Sequence, residues 1–400
     1  VMRLSRISNS LSKAGLVTLG VLSAPVTAVE LGGQINLEHR QFIDRGLQGQ
    51  AKEQSSIVIN PELYWSLFNS DASFTFSPFY RYDSLDAKRS HGDIREALFL
   101  SYWDDYEVRV GISKLFWGVT ESAHLVDVIN QTDSVESVDG EQKLGQTMLH
   151  LTAIKDWGTV DALLLPYFRE RTFAGEDGRL RAPLLINDDV NYQSSRQEQH
   201  IDYALRYSVM LDDWDLGVSY FQGTNRDPYF DVTPTGEGLE LTPFYAQSKQ
   251  LGVDVQGIVG DWLWKFEGIY RDTLENYTGF VGGFEYTSVG VFDSVWDIGW
   301  IAEYLYDSRG ENAQTIGQND LFVGSRLVLN DEAGSEVLFG VTQDLDHSDV
   351  YNAKIEASSR LSNHFKWRAN AWLFENRTPS DLLYFARKDD FIELSLEYYF

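Results

Sequence analysis

The stretch DDFIELSLEYYF, residues 389–400, decides the fold of this chain. From Ile392 onward the even positions carry Ile392, Leu394, Leu396, Tyr398 and Phe400, and the odd ones Glu393, Ser395, Glu397 and Tyr399. Successive side chains of a β-strand point to opposite faces, so this period of two specifies a strand with one apolar face and one polar face. A strand at the end of a chain leaves a row of unpaired N–H and C=O groups unless another strand takes them, and no helical periodicity elsewhere offers a cover. Pairing with the first strand removes that edge. The expected fold is therefore all-β and closed.

Working outward, the chain beyond about residue 30 resolves into segments of about ten to fourteen residues with the same period. Residues 31–42 place Leu31, Gly33, Ile35 and Leu37 on one face, and residues 56–68 do the same with Ile57, Ile59, Leu63, Trp65 and Leu67. A turn at Asn69, Ser70 and Asp71 leads to Ala72, Phe74, Phe76, Tyr80 and Tyr82, alternating with Ser73, Thr75, Arg81 and Asp83. The fourth segment is less regular: Ile94, Leu98, Leu100 and Tyr102 are expected to look outward, yet Glu96 falls among them. Residues 106–113 restore the alternation. Six further pairs follow, at 146–155 and 159–168, 201–210 and 214–221, 250–259 and 262–271, 279–291 and 296–306, 321–329 and 336–342, and 350–361 and 365–374. With the closing strand the count is about eighteen. Connections after even-numbered strands are short, such as Asp156-Trp157-Gly158, Asp212-Asp213 and Gly260-Asp261, and those after odd-numbered strands include the long ones at 117–145, 170–199, 222–242, 307–319 and 375–388. A water-soluble sandwich or propeller also has many short strands, but nothing in it requires short connections on one side and long ones on the other.

The last strand, with Phe400 preceded by Tyr398 and Leu396 on its apolar face, resembles the terminal strand of Gram-negative outer-membrane β-barrels. The asymmetry of the connections resembles their short periplasmic turns and longer external loops. The resemblance implies a transmembrane antiparallel β-barrel over residues 29–400, located in the bacterial outer membrane among its lipids and lipopolysaccharide. It implies that Phe400, Tyr398 and Leu396 form the signal read by the barrel-assembly machinery. It also implies a porin-like channel for small hydrophilic solutes or ions, with a homotrimer as one assembly open to it. Trp103, Tyr106, Trp157, Trp214, Trp262, Trp264, Trp296, Trp300, Tyr304, Tyr306 and Tyr398 crowd strand ends, where membrane-interface girdles place such rings.

Composition agrees. The chain has no cysteine, so it contains neither a disulfide framework nor a thiolate metal site. Aromatics make up 14% of it while the mean hydropathy is −0.29, which suits many amphipathic strands better than hydrophobic helices. Arg3, Arg6 and Lys13 precede an apolar stretch at 14–24 and then Val26-Thr27-Ala28, the pattern of a cleaved secretory signal over residues 1–28. Removing that segment takes away three cations and no acid from the 33 Lys+Arg and 60 Asp+Glu. The remaining chain is strongly anionic, which excludes nucleic acid as a partner.

Chemistry is expected in the third external connection, LFWGVTESAHLVDVINQTDSVESVDGEQKLG, residues 115–145, which in position and length resembles the loop that folds into the lumen of porins. It carries Glu121, His124, Asp127, Asn130, Gln131, Asp133, Glu136, Asp139 and Glu141, with Leu125, Val126, Val128 and Ile129 able to anchor a short helix or turn against the wall. Inward-facing bases expected on the strands are Arg81, Arg95, Arg109, Arg206, Lys265, Arg271, Arg326, Lys366 and Arg368. Acid on the loop facing bases on the wall sets a transverse field that screens solutes by charge. The alternative is that these charges only pair to solvate a wide lumen.

Two other functions compete. Polar-face aromatics at Tyr64, Phe68, Tyr167, Phe221, Tyr351 and Trp372 point to a carbohydrate path, although they fall on scattered strands. A barrel enzyme of lipase or protease type is the other, with His150 as its one candidate base; a scaffold barrel around a second protein needs a wide lumen. The sequence holds no G-x-S-x-G, H-E-x-x-H, Walker loop or dinucleotide fingerprint, and no two histidines at i, i+4. No cofactor and no metal site is expected. The acids at Glu176, Asp177, Asp188 and Asp189 lack EF-hand spacing and read as solvated loop charge.

Overall fold

The computed structural model describes residues 29–68, 71–236, 238–313, 317–379 and 381–400. The expected signal segment, and Asn69 and Ser70 of the first turn, lie outside the described residues. Eighteen antiparallel strands form one sheet that closes on itself. They are β1 Val29–Phe42, β2 Glu53–Leu67, β3 Ala72–Asp83, β4 Gly92–Trp103, β5 Tyr106–Ser113, β6 Gln146–Lys155, β7 Gly158–Leu165, β8 Asp202–Leu211 and β9 Trp214–Thr224. The second half comprises β10 Gln247–Val259, β11 Trp262–Asp272, β12 Tyr277–Val291, β13 Trp296–Asp307, β14 Asn319–Val328, β15 Glu336–Asp344, β16 Val350–Arg360, β17 Phe365–Asn376 and β18 Phe391–Tyr399. Every strand pairs with its neighbours in sequence, and β18 pairs with β1 from Gln34↔Tyr399 to Phe42↔Phe391. At this seam the Phe400 amide donates to the Gly33 carbonyl at 3.2 Å. Gly33 itself has φ +145, and a Cβ there would stand 2.6 Å from the Pro61 Cα and 3.0 Å from the Phe400 ring, so only glycine fits under the terminal residue.

The faces are inverted relative to a water-soluble protein. On β18 the apolar Ile392 and Leu394 are 52% and 58% exposed, while Glu393 and Glu397 are buried. The same holds around the wall, where Leu37, Ile57, Tyr82, Val110, Leu251, Trp300 and Ile355 point out and Arg81, Ser219, Asp254 and Glu303 point in. Such a barrel hides its backbone polar groups in the closed ladder and presents hydrocarbon to lipid, the only all-β arrangement that crosses a bilayer. Among the described residues no helix is long and apolar enough to cross a membrane; the strands cross instead. Rings of Trp103, Tyr106, Trp157, Trp214, Trp262 and Trp296 lie outside at the end with short turns, and Trp103 stacks on Tyr106 at 5.9 Å.

Two expectations need correction. Leu98, Leu100 and Tyr102 face the lumen, since they register with Gly111, Arg109 and Glu107 on the inner face of β5, and only Ile94 of that group looks out. The cause is a β-bulge: Ser77 pairs with Glu96 and Pro78 with Ile94, so Arg95 is an extra residue that turns inward and shifts the phase of everything after it. Pro78, which has no N–H to give, sits at this break in the ladder. Secondly, the long connection expected at 222–242 runs instead from the end of β9 at Thr224 to the start of β10 at Gln247, and it contains a hairpin, Tyr229–Thr235 with Gly238–Tyr245. Two short strands from the 166–201 connection, Leu185–Ile186 and Asn191–Tyr192, pair parallel to it. Together they make a four-stranded sheet at the loop end of the barrel.

Candidate functional site

The connection between β5 and β6 lies inside the barrel. Asn130, 1% exposed, ties its two ends: its Nδ2 donates to the carbonyls of Ser113 at 2.9 Å and Leu144 at 2.8 Å, while its Oδ1 accepts from the Leu115 amide at 2.9 Å. Val126, Val128, Ile129 and Trp117 pack on Met148, Leu163, Leu165 and Phe221 of the inner wall, and Leu125 reaches Val281, Leu305 and Phe322 on the other side. The segment makes turns and bends without a helix.

Both sides of the lumen hold it. On the side of β1–β4, Arg81 grips Glu136 with two parallel hydrogen bonds of 2.7 Å, and also pairs with Glu38. Arg95, delivered by the bulge, donates to Asp133 at 2.6 Å with its guanidinium 4.2 Å over the Phe79 ring. Arg89 donates to the Val135 carbonyl at 2.8 Å and to Asp83 at 2.6 Å, and Thr172 from the next long connection donates to Asp133 at 2.7 Å. On the far side the anchors are wall carboxylates. Glu267 of β11, fully buried, accepts from the amides of Val119 at 2.7 Å, Thr120 at 3.1 Å and Val126 at 3.2 Å and from the Thr120 hydroxyl at 2.8 Å. Glu303 of β13 accepts from the amides of Glu121 and Ser122, both at 2.8 Å, and Arg326 of β14 donates to Glu121 at 2.8 Å. The loop therefore spans the bore, from the wall at β3 and β4 to the wall at β11 to β14.

The expected constriction residues thus divide. Glu121, Asp133 and Glu136 meet Arg326, Arg95 and Arg81 directly. Asp127 meets Lys143 of its own loop at 3.3 Å. Five of the expected bases take acids elsewhere: Arg109 pairs with Glu107 on its own strand, Arg206 takes both oxygens of Asp254 at 2.6 and 2.7 Å, Lys265 pairs with Glu285 at 3.5 Å, Arg271 with Asp227 at 2.8 Å, and Arg368 with Glu397 at 2.6 Å. Direct ion pairs replace the open gap between loop acids and wall bases that a wide transverse field requires. Glu267 and Glu303 carry no sequence signal, because each accepts from backbone amides more than a hundred residues away.

Burial pushes the Asp127 carboxyl up, and Lys143 offsets this only in part. Burial acts likewise on Asp133, but His91, Arg95 and Thr172 outweigh it and hold that carboxyl at about 2. His91 is raised above its ordinary value: burial opposes the charge, but Asp133 at 3.4 Å and Glu136 at 3.7 Å favour it. His91, Asp133 and Glu136 have the right atoms within 4.8 Å to hold a metal ion, yet Arg81 and Arg95 already occupy both carboxylates. His150 contacts Asp161 at 2.8 Å and Thr152 at 3.0 Å, and among the described residues no serine hydroxyl is its hydrogen-bond partner.

His124 sits between Glu141 at 3.7 Å and the anchor Glu267 at 3.8 Å, with its ring edge-on to Phe116. Burial lowers its proton affinity, but the two carboxylates dominate and lift it to about 9. A group raised in the folded state stabilises fully below its ordinary value and ceases to do so as pH climbs through the raised one. Proteolysis within 115–145 is therefore expected to be faster at about pH 10 than at about pH 7, and His124→Gln should abolish the difference. Limited digestion of the folded barrel at the two pH values checks this.

Neither a protein-family model nor a curated protein matches the chain. Solved structures do, at low identity. A mutant of Rh. blastica porin aligns over 93% of this chain and 100% of its own, at 11% identity and a TM-score of 0.45. A second mutant of that porin gives 13% identity with the same coverage and a TM-score of 0.46. Outer-membrane expressed OmpT of Vibrio cholerae gives 8% identity over 93% of this chain and 97% of its own, with a TM-score of 0.45. The chain's own closed sheet of eighteen strands, its apolar exterior and its polar interior make the fold a porin-like transmembrane β-barrel.

Proposed function

We propose that the protein is a passive outer-membrane channel for small hydrophilic solutes or ions, with residues 115–145 as its constriction. The observation that supports this most is the loop across the bore, held from both walls by buried charge. A loop fixed in this way narrows a lumen to a defined aperture while the barrel keeps its width. The same crossing leaves no clear bore for a second protein, which weighs against a scaffold. A carbohydrate path is weakened because Tyr351 faces outward, Phe221 is covered by the loop, and no ring contact among the described residues joins any two of the six candidates.

The test is single-channel recording of the purified barrel in planar bilayers, where ohmic conductance is expected and a folded protein that passes no current would end the proposal. Selectivity follows from the pairing at the loop. Arg326 is one-third exposed and is neutralised by Glu121, so Glu121→Gln leaves a bare guanidinium at the aperture. The chloride-to-potassium permeability ratio, read from the reversal potential in a salt gradient, is expected to rise roughly twofold or more. Asp133→Asn should act differently, loosening the loop, because Asp133 is fully buried and its role is to hold Arg95 and Thr172.

A further inference from the structure

Over the crossing loop, at the loop end of the barrel, lies a cavity of about 750 Å³ enclosed by the connections after β5, β7 and β9 and by the wall as far as β17. Its rim is apolar: Val138, Leu180, Leu184, Phe230, Trp372 and Phe385 all border it and all keep part of their surface open. Trp372 stacks on Phe374 at 5.9 Å, with the Lys354 ammonium 5.8 Å from its ring. Water-filled lumens of such barrels are polar, so an apolar collar set within one calls for an explanation.

The charges around the cavity supply the second half of it. Arg179, Arg226, Arg171 and Arg271 border it and each already has an acid, namely Asp389, Asp202 and a shared Asp227. The acids Glu121, Asp127 and Glu141 likewise face Arg326, Lys143 and His124. Arg181 differs. Among the described residues it makes no ion pair, its one hydrogen bond goes to the neighbouring Ala182 carbonyl at 3.1 Å, and its Nε is buried without a partner. A guanidinium is always charged and presents a planar fork that matches a carboxylate, and a buried donor left unpaired is unfavourable.

We propose, on the basis of the channel reading above, that this vestibule binds monoanionic carboxylates with an apolar body before they reach the constriction. Arg181 takes the carboxylate, and the collar formed by Leu180, Leu184, Phe230 and Trp372 takes the aryl or alkyl part. A small inorganic anion leaves the collar unused, and a polyanion finds only one uncommitted guanidinium. The volume lies within the usual span of small-molecule sites.

Titration calorimetry of the folded barrel in lipid nanodiscs with 4-phenylbutyrate, acetate and 4-phenylbutan-1-ol tests this. Phenylbutyrate is expected to bind at least tenfold more tightly than either of the others. Arg181→Gln should lose at least tenfold, while Lys155→Gln, at the short-turn end of β6 and so at the opposite end of the barrel, should bind as the parent does. Equal binding of acid and alcohol, unchanged binding by Arg181→Gln, or no binding at all would overturn the site. Bilayer recordings on the same preparation separate the two claims: conductance without phenylbutyrate binding removes the site and keeps the channel, and binding without conductance does the reverse.

Discussion

Glu267→Ala is expected to raise single-channel conductance several-fold and to admit larger solutes. The carboxylate of Glu267 accepts four hydrogen bonds from the crossing loop, three of them from backbone amides, and it is completely shielded from solvent. Bonds to a charged acceptor contribute about 1.5–3 kcal/mol each, and a buried amide left unpaired costs about 1–3 kcal/mol. Losing one side chain thus removes several kcal/mol from a segment without regular secondary structure, more than the local stability such a segment usually has. His124 would lose its partner in the wall at the same time. The loop should swing away from β11 while Arg81 and Arg95 still hold its other half. Glu267→Gln, which keeps one carbonyl oxygen, should fall between. Bilayer recording with polyethylene glycols of graded size reads both effects, and a folded variant with the parent's conductance and size limit would show that the loop does not set the aperture.

The second large effect concerns the wall. Leu394→Arg puts a charge on the lipid-facing side near the middle of β18, where arginine costs about 2–4 kcal/mol. Asn370→Arg puts the same residue at nearly the same height on the adjacent strand, on the lumenal side, opposite Glu393. There the new charge meets an acid and water, and the change in stability should stay below about 1 kcal/mol. Urea unfolding from lipid vesicles compares the two. Equal costs would contradict the assignment of inner and outer faces on which the whole barrel depends.

Strand number, closure and the division into short turns and long loops were all readable from residue order, because period two is a local property and survives in almost every strand. It fails at Arg95, where one inserted residue reverses the phase and turns Leu98, Leu100 and Tyr102 to the lumen. The acidic character of the crossing loop was equally plain. Its partners are harder to read: Arg81 and Arg95 resemble any inward base, and nothing in their neighbourhoods distinguishes them from Arg206 or Arg368, whose acids Asp254 and Glu397 stand on strands and not on the loop. Glu267 and Glu303 escaped altogether, since a carboxylate that receives backbone amides imposes no pattern on the residues that donate them. Leu185–Ile186 and Asn191–Tyr192, which join Gly238–Tyr245 in the smaller sheet, are each too short to show a period.

The pair between Arg40 of β1 and Glu393 of β18 has a consequence for the order of assembly. These residues stand 353 positions apart, the pair straddles the seam, and Arg40 also donates to the Glu136 carbonyl of the crossing loop at 3.4 Å. Glu393 lies on the strand that closes the sheet, far along the chain from the crossing loop and the strands that grip it. Loop-closure entropy makes contacts so distant along the chain slow to form. Sealing the cylinder and locking its contents are thus one event: until the final strand arrives, Arg40 lacks its acid, and the plug has a side exit through the open seam.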